Sequence, residues 1–405
     1  MLKRYFLNHQ KKNFSTASIW IKGGSDMDSV NKKGINKILC SLLTRGCEGF
    51  DNFFLSEYIE SFGAELNQEV FEDGISISIE SLNEHFSKLL PLLELIINKP
   101  ILSETEFEKV KKSSSNFIKK EKENPLNICF EKWRKIVYSN HPYAFNTIGN
   151  ANDVSMISHE DVLYEFKSFK NRDKYLISNN PEINGENFET LEKKILKEKS
   201  GLVISNLSPM NRLNYINNDS NQMIIMIGDQ TCSRRSSEYL TLKVLESYLS
   251  YGMSAALFKL FREKNGITYD LGVYYPIRSG NAPFLIYLSV SNKQALFAFE
   301  LLSTLWKNLL FSALTDAEIC LAKEKLKGSF LIGSQSLDEI LQRKVQLISY
   351  GITPISELDL NSKIDEISSQ DILKLTKKYL SKPFLSISGN KKLCLEISSM
   401  WNKNF

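Results

Sequence analysis

One unit occurs twice in this chain, and that repeat limits what the chain can fold into. Near the start, Ser15–Lys22 has the pattern of a strand and is followed by a turn and a helix over Gly34–Gly46. Near the middle, Gln222–Gly228 has the same pattern and is followed by a polar turn and a helix over Ser237–Leu249. A second match is clearer. Gly74–Glu80 alternates apolar and polar residues like a half-buried strand, and it runs into a helix over Leu82–Ile97. Its counterpart is the strand Phe284–Val290 with a helix over Lys293–Leu310. The next helix of each copy opens with a capping-box pair, Ser103 with Glu106 and Thr315 with Glu318.

Strands and helices in mixed order, with hairpin-like strand pairs, predict an α+β fold. Two similar lobes from the internal repeat are expected, each a mixed, mainly antiparallel sheet with helices packed on one face. The boundaries fall at 1–198 for the N-terminal lobe, 199–220 for a linker carrying Pro209, Asn211, Asn214, Asn217 and Asn218, and 221–405 for the C-terminal lobe. A length of 405 residues suffices for two cores.

Composition narrows the function classes. The chain has 51 basic and 47 acidic residues, a near balance that gives no reason for a nucleic-acid partner. No apolar run is long enough to span a bilayer, so no membrane association is expected. The basic start, Met1–Leu7, lacks the apolar core of a signal peptide. Six scattered cysteines (Cys40, Cys47, Cys129, Cys232, Cys320, Cys394) form no C-x-x-C pair and are expected to be free thiols. A cytoplasmic location is the expectation.

The helix Gly34–Gly46 carries the most specific chemical signal, and it is a negative one. Inverted zinc-peptidase helices place His, Glu and His at i, i+3 and i+4. Here those positions hold Lys37, Cys40 and Ser41. At about 100° per residue, Ile35, Ile38, Leu39, Leu42 and Leu43 form the core stripe. Lys37, Cys40 and Ser41 fall on the opposite face. An ammonium repels a divalent cation, and a hydroxyl is a poor zinc ligand. The histidines do not restore a site. His159 follows the N-cap Ser158 at the start of a helix, and His141 precedes Pro142 in a turn. Cys40 as a nucleophile, with Lys37 one turn away lowering its pKa, is a further reading. It lacks a nearby histidine base, and a packing role is expected instead.

At this point the chain resembles the insulinase (pitrilysin-like) zinc metallopeptidase family, in particular half-length members of the mitochondrial processing peptidase type. The resemblance covers essentially the whole chain. Its landmarks, in order, are the turn Gly23–Asp26, the helix Gly34–Gly46, the entry Gly63–Asn67 to a substrate-binding edge strand, the loop His141–Gly149 before Ile157–Asp161, and the segment Ser250–Tyr269. The resemblance places the third zinc ligand on a later helix near Asn116, Phe117 and Ile118, none of them acidic. The degenerate ligand positions are thus Lys37, Ser41 and Phe117, and Cys40 stands at the catalytic Glu position.

The family implies a division of labour between unlike half-length subunits. One carries zinc, and the other supplies an Arg and a Tyr, matched here by Arg262 and Tyr269. A helix over Ser254–Lys264 closed by Gly266, then a strand from Ile267, lets the two converge. Both are donors suited to a scissile carbonyl and its oxyanion. The implied function is a non-catalytic, substrate-binding subunit of a heteromeric zinc endopeptidase. No cofactor is expected in this chain, and zinc is expected in a homologous partner subunit of a heterodimer. The implied substrate is a peptide or unfolded polypeptide. The alternative is a scaffold protein of the same fold without a proteolytic role, like the core subunits of respiratory complexes.

Overall fold

The computed structural model describes residues 2–9, 13–188, 212–218, 220–268, 270–332, 336–352 and 357–405. The expected linker lies outside them across 199–211 and at 219. The first half runs β1 (Leu2–Phe6), β2 (Phe14–Lys22), α1 (Ile35–Leu43), α2 (Asn52–Glu60), β3 (Glu65–Val70), β4 (Gly74–Leu82), α3 (Phe86–Asn98) and α4 (Glu104–Glu121). It continues with α5 (Pro125–Tyr138), α6 (Ala151–Met156), α7 (His159–Lys170), β5 (Lys174–Ser178) and the short β6 (Glu186–Asn187). The second half runs β7 (Leu213–Asn217), β8 (Gln222–Gln230), α8 (Tyr239–Ser250), a π-helical turn (Phe258–Glu263), β9 (Asp270–Tyr274), β10 (Pro283–Ser291) and α9 (Ala295–Phe311). It ends with α10 (Asp316–Ile332), α11 (Leu337–Ser349), α12 (Glu357–Asp365), α13 (Ser369–Leu380), β11 (Phe384–Gly389) and α14 (Lys391–Asn404).

The repeat is visible in the sheet topology. Unit 1 has the strand order β3-β4-β2-β5-β1-β6. Unit 2, written from the same end, has β9-β10-β8-β11-β7. Corresponding pairs agree in direction as well. β5 and β1 are parallel, as are β11 and β7. The pairs β2/β4, β3/β4 and β2/β5 are antiparallel, like β8/β10, β9/β10 and β8/β11. The capping pairs repeat too. Thr315 and Glu318 bond reciprocally at 2.9 and 3.4 Å, and Glu106 N donates to Ser103 at 3.3 Å. Ser158/Asp161 and Ser368/Asp371 form full capping boxes at the starts of α7 and α13. The two-lobed α+β architecture expected from the sequence is the one found.

Each unit has its own core. In unit 1, Ile19 and Ile21 of β2 and Ile75, Ile77 and Ile79 of β4 are buried with Ile38 and Leu42 of α1 and Phe86 and Leu89 of α3. Burying each such side chain contributes about 1.5–3 kcal/mol relative to exposure. The expectation of a half-buried β4 needs correction, because its serine face is buried as well. Ser76 and Ser78 of β4 and Ser18 of β2 are all buried. α11 packs there, with Trp20 of β2 edge-on to Tyr350 at 6.3 Å between ring centroids. Unit 2 repeats the arrangement. Ser386 and Ser388 of β11 are buried. α5 packs on that strand, with Trp133 Nε1 donating to Phe384 O at 3.4 Å and Ser386 Oγ to Cys129 O at 3.1 Å. Small hydroxyls on the sheet are what let a helix lie this close.

These two covering helices are exchanged. Unit 1 comprises the described residues within Met1–Lys120, Phe145–Lys199 and Gly333–Ser356, so it includes α11 from the second half of the sequence. Unit 2 includes Glu121–Ala144, and with it α5 from the first half. The boundaries 1–198 and 221–405 do not anticipate this exchange. All six cysteines are free, and all but Cys320 are buried. Among the described residues no helix is long and apolar enough to cross a membrane.

Candidate functional site

α1 is held at its N-terminus by a buried carboxylate rather than by its own cap residue. Gly34, the N-cap, has a φ of 98° and no side chain to offer. Asp28 Oδ2 accepts from Gly34 N at 2.7 Å, and Oδ1 accepts from Asn36 N at 3.1 Å and Asn36 Nδ2 at 2.8 Å. Arg172 Nη1 donates to Asn36 Oδ1 at 2.9 Å, and Arg172 also pairs with Glu165. Burial pushes the Asp28 carboxyl up to about 6, outweighing the bonds to Gly34 and Asn36 that favour its charged form. A side chain at Gly149 would meet Lys33 O at 2.1 Å. The loop ending at Gly149 therefore closes directly over the start of α1, which brings Thr147 and Ile148 beside the helix.

Beyond this anchor lies an open cavity of about 360 Å³. α1 lines it with Lys37 and Ser41, and Arg45, two residues past the helix end, continues the same side. β3, the edge strand of the sheet, contributes Glu69 and Val70. α4 contributes Val110, Ser113, Ser114 and Phe117, an i, i+3, i+4, i+7 stripe. Thr147 and Ile148 complete the wall. Three of the four degenerate positions, Lys37, Ser41 and Phe117, thus meet at one cavity. On α4 it is Phe117 that faces this space; Ile118 is buried in the core.

Cys40 is the exception, and its placement corrects the helical-wheel grouping. It is 1% exposed and belongs to the core of unit 1. β3 covers that flank of α1. Gln68 Oε1 accepts from Thr44 Oγ1 at 2.9 Å and lies 3.8 Å from Cys40 Sγ. Burial pushes the thiol up to about 12, and Lys37 only partly offsets this. A protonated, enclosed thiol is not a nucleophile, so the lowered pKa considered for Cys40 does not hold.

The residues at the metal position do not fit zinc. They offer an ammonium, a hydroxyl and a phenyl ring, with the one soft donor turned into the core. Among the described residues no group of three or more His, Cys, Asp or Glu could hold a metal ion. His159 Nε2 donates to Leu102 O at 2.6 Å; Ser158 is the N-cap, as the sequence predicts, and forms a capping box with Asp161. His141 Nδ1 accepts from Tyr143 N at 3.1 Å within its turn.

The cavity's electrostatics were not foreseen. Arg45 donates to Glu106 at 2.9 Å, and Lys109 donates to the same carboxylate at 2.6 Å, which holds it below the usual range. Glu69 is pushed up by burial, with Lys37 acting against that shift. Arg45 lies eight residues after Lys37, a two-turn spacing that carries a legible signal. Glu69 is found only by knowing which strand lies beside α1.

In unit 2, Arg262 is exposed and lies in the π-helical turn, its guanidinium 4.6 Å from the centroid of the Phe258 ring. The expected regular helix over Ser254–Lys264 is therefore corrected. Lys264 N donates to Lys259 O, five residues back, at 3.0 Å, which widens the turn. Gly266, at a φ of 57°, closes it by donating to Arg262 O at 3.0 Å. β9 spans Asp270–Tyr274 and does not include Ile267; Thr268 Oγ1 donates to Asp270 O at 3.3 Å. Tyr269 lies outside the described residues.

A two-lobed α/β chain whose described residues hold no metal-ligand cluster defines a class, and comparison with known proteins names its family. Residues 4–151 match the Insulinase (Peptidase family M16) domain, and residues 166–326 match the Peptidase M16 inactive domain. The chain belongs to the insulinase (M16) peptidase family. It is 23% identical over 356 residues to an uncharacterized zinc protease of Rickettsia felis, covering 85% of this chain and 86% of the relative. A zinc protease of Rickettsia bellii is 21% identical over the same shares. A peptidase M16 inactive domain structure from Pseudomonas fluorescens superposes with a TM-score of 0.81 at 20% identity, covering 96% of this chain and 95% of that one. A protease from Helicobacter pylori gives 0.80 at 16% identity, covering 94% of each chain.

Proposed function

We propose that this chain is the non-catalytic, substrate-binding subunit of a heteromeric zinc endopeptidase, working in the cytoplasm beside a homologous subunit that holds the zinc. The observation that carries this reading is the convergence of Lys37, Ser41 and Phe117 on one cavity, within a fully retained family fold. The scaffold for peptide work is intact, and the donors for metal chemistry are replaced. The edge strand β3 offers unpaired backbone groups to an extended peptide or unfolded polypeptide. Arg262 and Tyr269 are the residues this chain lends to the partner's active site, where a guanidinium and a phenol hold the scissile carbonyl and its oxyanion.

The test is metal analysis and peptide cleavage on the purified chain, alone and mixed with a family member of similar length that has an intact H-x-x-E-H helix. The expected result is no stoichiometric zinc and no cleavage alone, with cleavage in the mixture exceeding that of the zinc-bearing chain by itself. One zinc per chain, with cleavage lost on chelation, would contradict the proposal.

A further inference from the structure

The cavity of unit 1 is lined by an ammonium and three serines. Lys37 is half-buried and makes no hydrogen bond or ion pair among the described residues. Neighbouring cations are committed: Lys32 to Asp161, Lys99 to Glu48, and Arg45 and Lys109 to Glu106. Its nearest acid, Glu69, interacts with it electrostatically but forms no ion pair, so the half-buried ammonium is only partly compensated, and a bound anion completes the compensation. Ser41, Ser113 and Ser114 line the same space, and their hydroxyls donate to no protein group among the described residues. Glu69, the acid lining the same cavity, is attracted by Lys37 and also accepts a hydrogen bond from Gln342. Phe117, half exposed, presents an apolar surface beside these donors.

We propose that this cavity binds the terminal carboxylate of a peptide ending in an apolar residue, with Lys37 as the counter-ion, the serine hydroxyls as further donors and Phe117 against the terminal side chain. A free inorganic anion would use the donors and leave the apolar wall unused. A carboxylate-ended chain uses both, and β3 ends at the cavity with Glu69 and Val70. The volume suits one such chain end, being near the lower limit of pockets for small ligands, roughly 300–1,000 Å³. The inference deepens the substrate-binding role proposed above by naming the chain end recognised. It concerns unit 1 and requires no partner, so its failure leaves the test of Arg262 and Tyr269 standing.

Calorimetric titration of the whole chain with an N-acetylated tripeptide ending in leucine, as the free acid and as the amide, decides it. The acid is expected to bind about tenfold tighter than the amide, the size of one charge-assisted contact. Lys37→Met is expected to abolish that preference and Lys37→Arg to retain it. Glu69→Gln is expected to tighten binding of the acid, a gain that loss of folding cannot mimic. Equal affinity for acid and amide, or a preference unchanged in Lys37→Met, overturns the proposal. Inorganic phosphate binding through Lys37 with no peptide preference overturns the peptide end as occupant.

Discussion

Two buried groups on α1 and its anchor make the residue scale testable. Cys40 is enclosed and its thiol is pushed up to about 12, whereas Cys320 is exposed. Iodoacetamide at roughly pH 8 is expected to modify Cys320 in the native protein and to reach Cys40 only after unfolding. Modification of both at similar rates in the native state would contradict the placement of Cys40. Asp28 supplies the second case. Its folded carboxyl is raised from the usual 3.8 to about 6, so the fold favours the protonated form. That contribution to stability is fully present below about pH 3.8 and is lost as pH rises through 6. Wild type is therefore expected to lose stability relative to Asp28→Asn across this window, as measured by urea unfolding at each pH. A difference independent of pH would contradict it.

At the scale of elements, the close approach of a helix to a serine-lined sheet face carries the prediction. Ser78→Leu is expected to force α11 off β4 at a cost of about 1–3 kcal/mol, read from the shift in urea midpoint. An unchanged midpoint would mean that the face tolerates bulk. The serines also explain what the sequence hid. The alternation of Ile75, Ile77 and Ile79 with Ser76 and Ser78 correctly marks a strand, but serine looks the same under solvent and under a helix. The repeat pattern does not say which sheet α5 and α11 cover, and these two are the exchanged ones. At the site, the spacing of Lys37, Ser41 and Phe117 was legible because helix geometry and family landmarks fix it. The core placement of Cys40 was not, since the flank it occupies is closed by Gln68 and β3, a contact absent from any wheel. The π-helical turn at Arg262 escaped for a similar reason, because Phe258–Lys264 has the composition of an ordinary helix.

In the proposed complex the whole molecule binds substrate while the partner holds the zinc. Both units have the family fold, the cavity of unit 1 is lined by Lys37, Ser41 and Phe117 with no metal-ligand cluster among the described residues, and Arg262 in unit 2 sits exposed in a widened turn. Folds keep their architecture while sites change, so the retained fold by itself does not imply retained chemistry. The most direct measurement is peptide cleavage by the complex of this chain with a zinc-bearing family subunit, comparing wild type with Arg262→Ala and Tyr269→Phe. Turnover is expected to fall by about 10²–10³ for each variant, the usual loss for an oxyanion donor, with complex formation unchanged. Full turnover with both variants would contradict it.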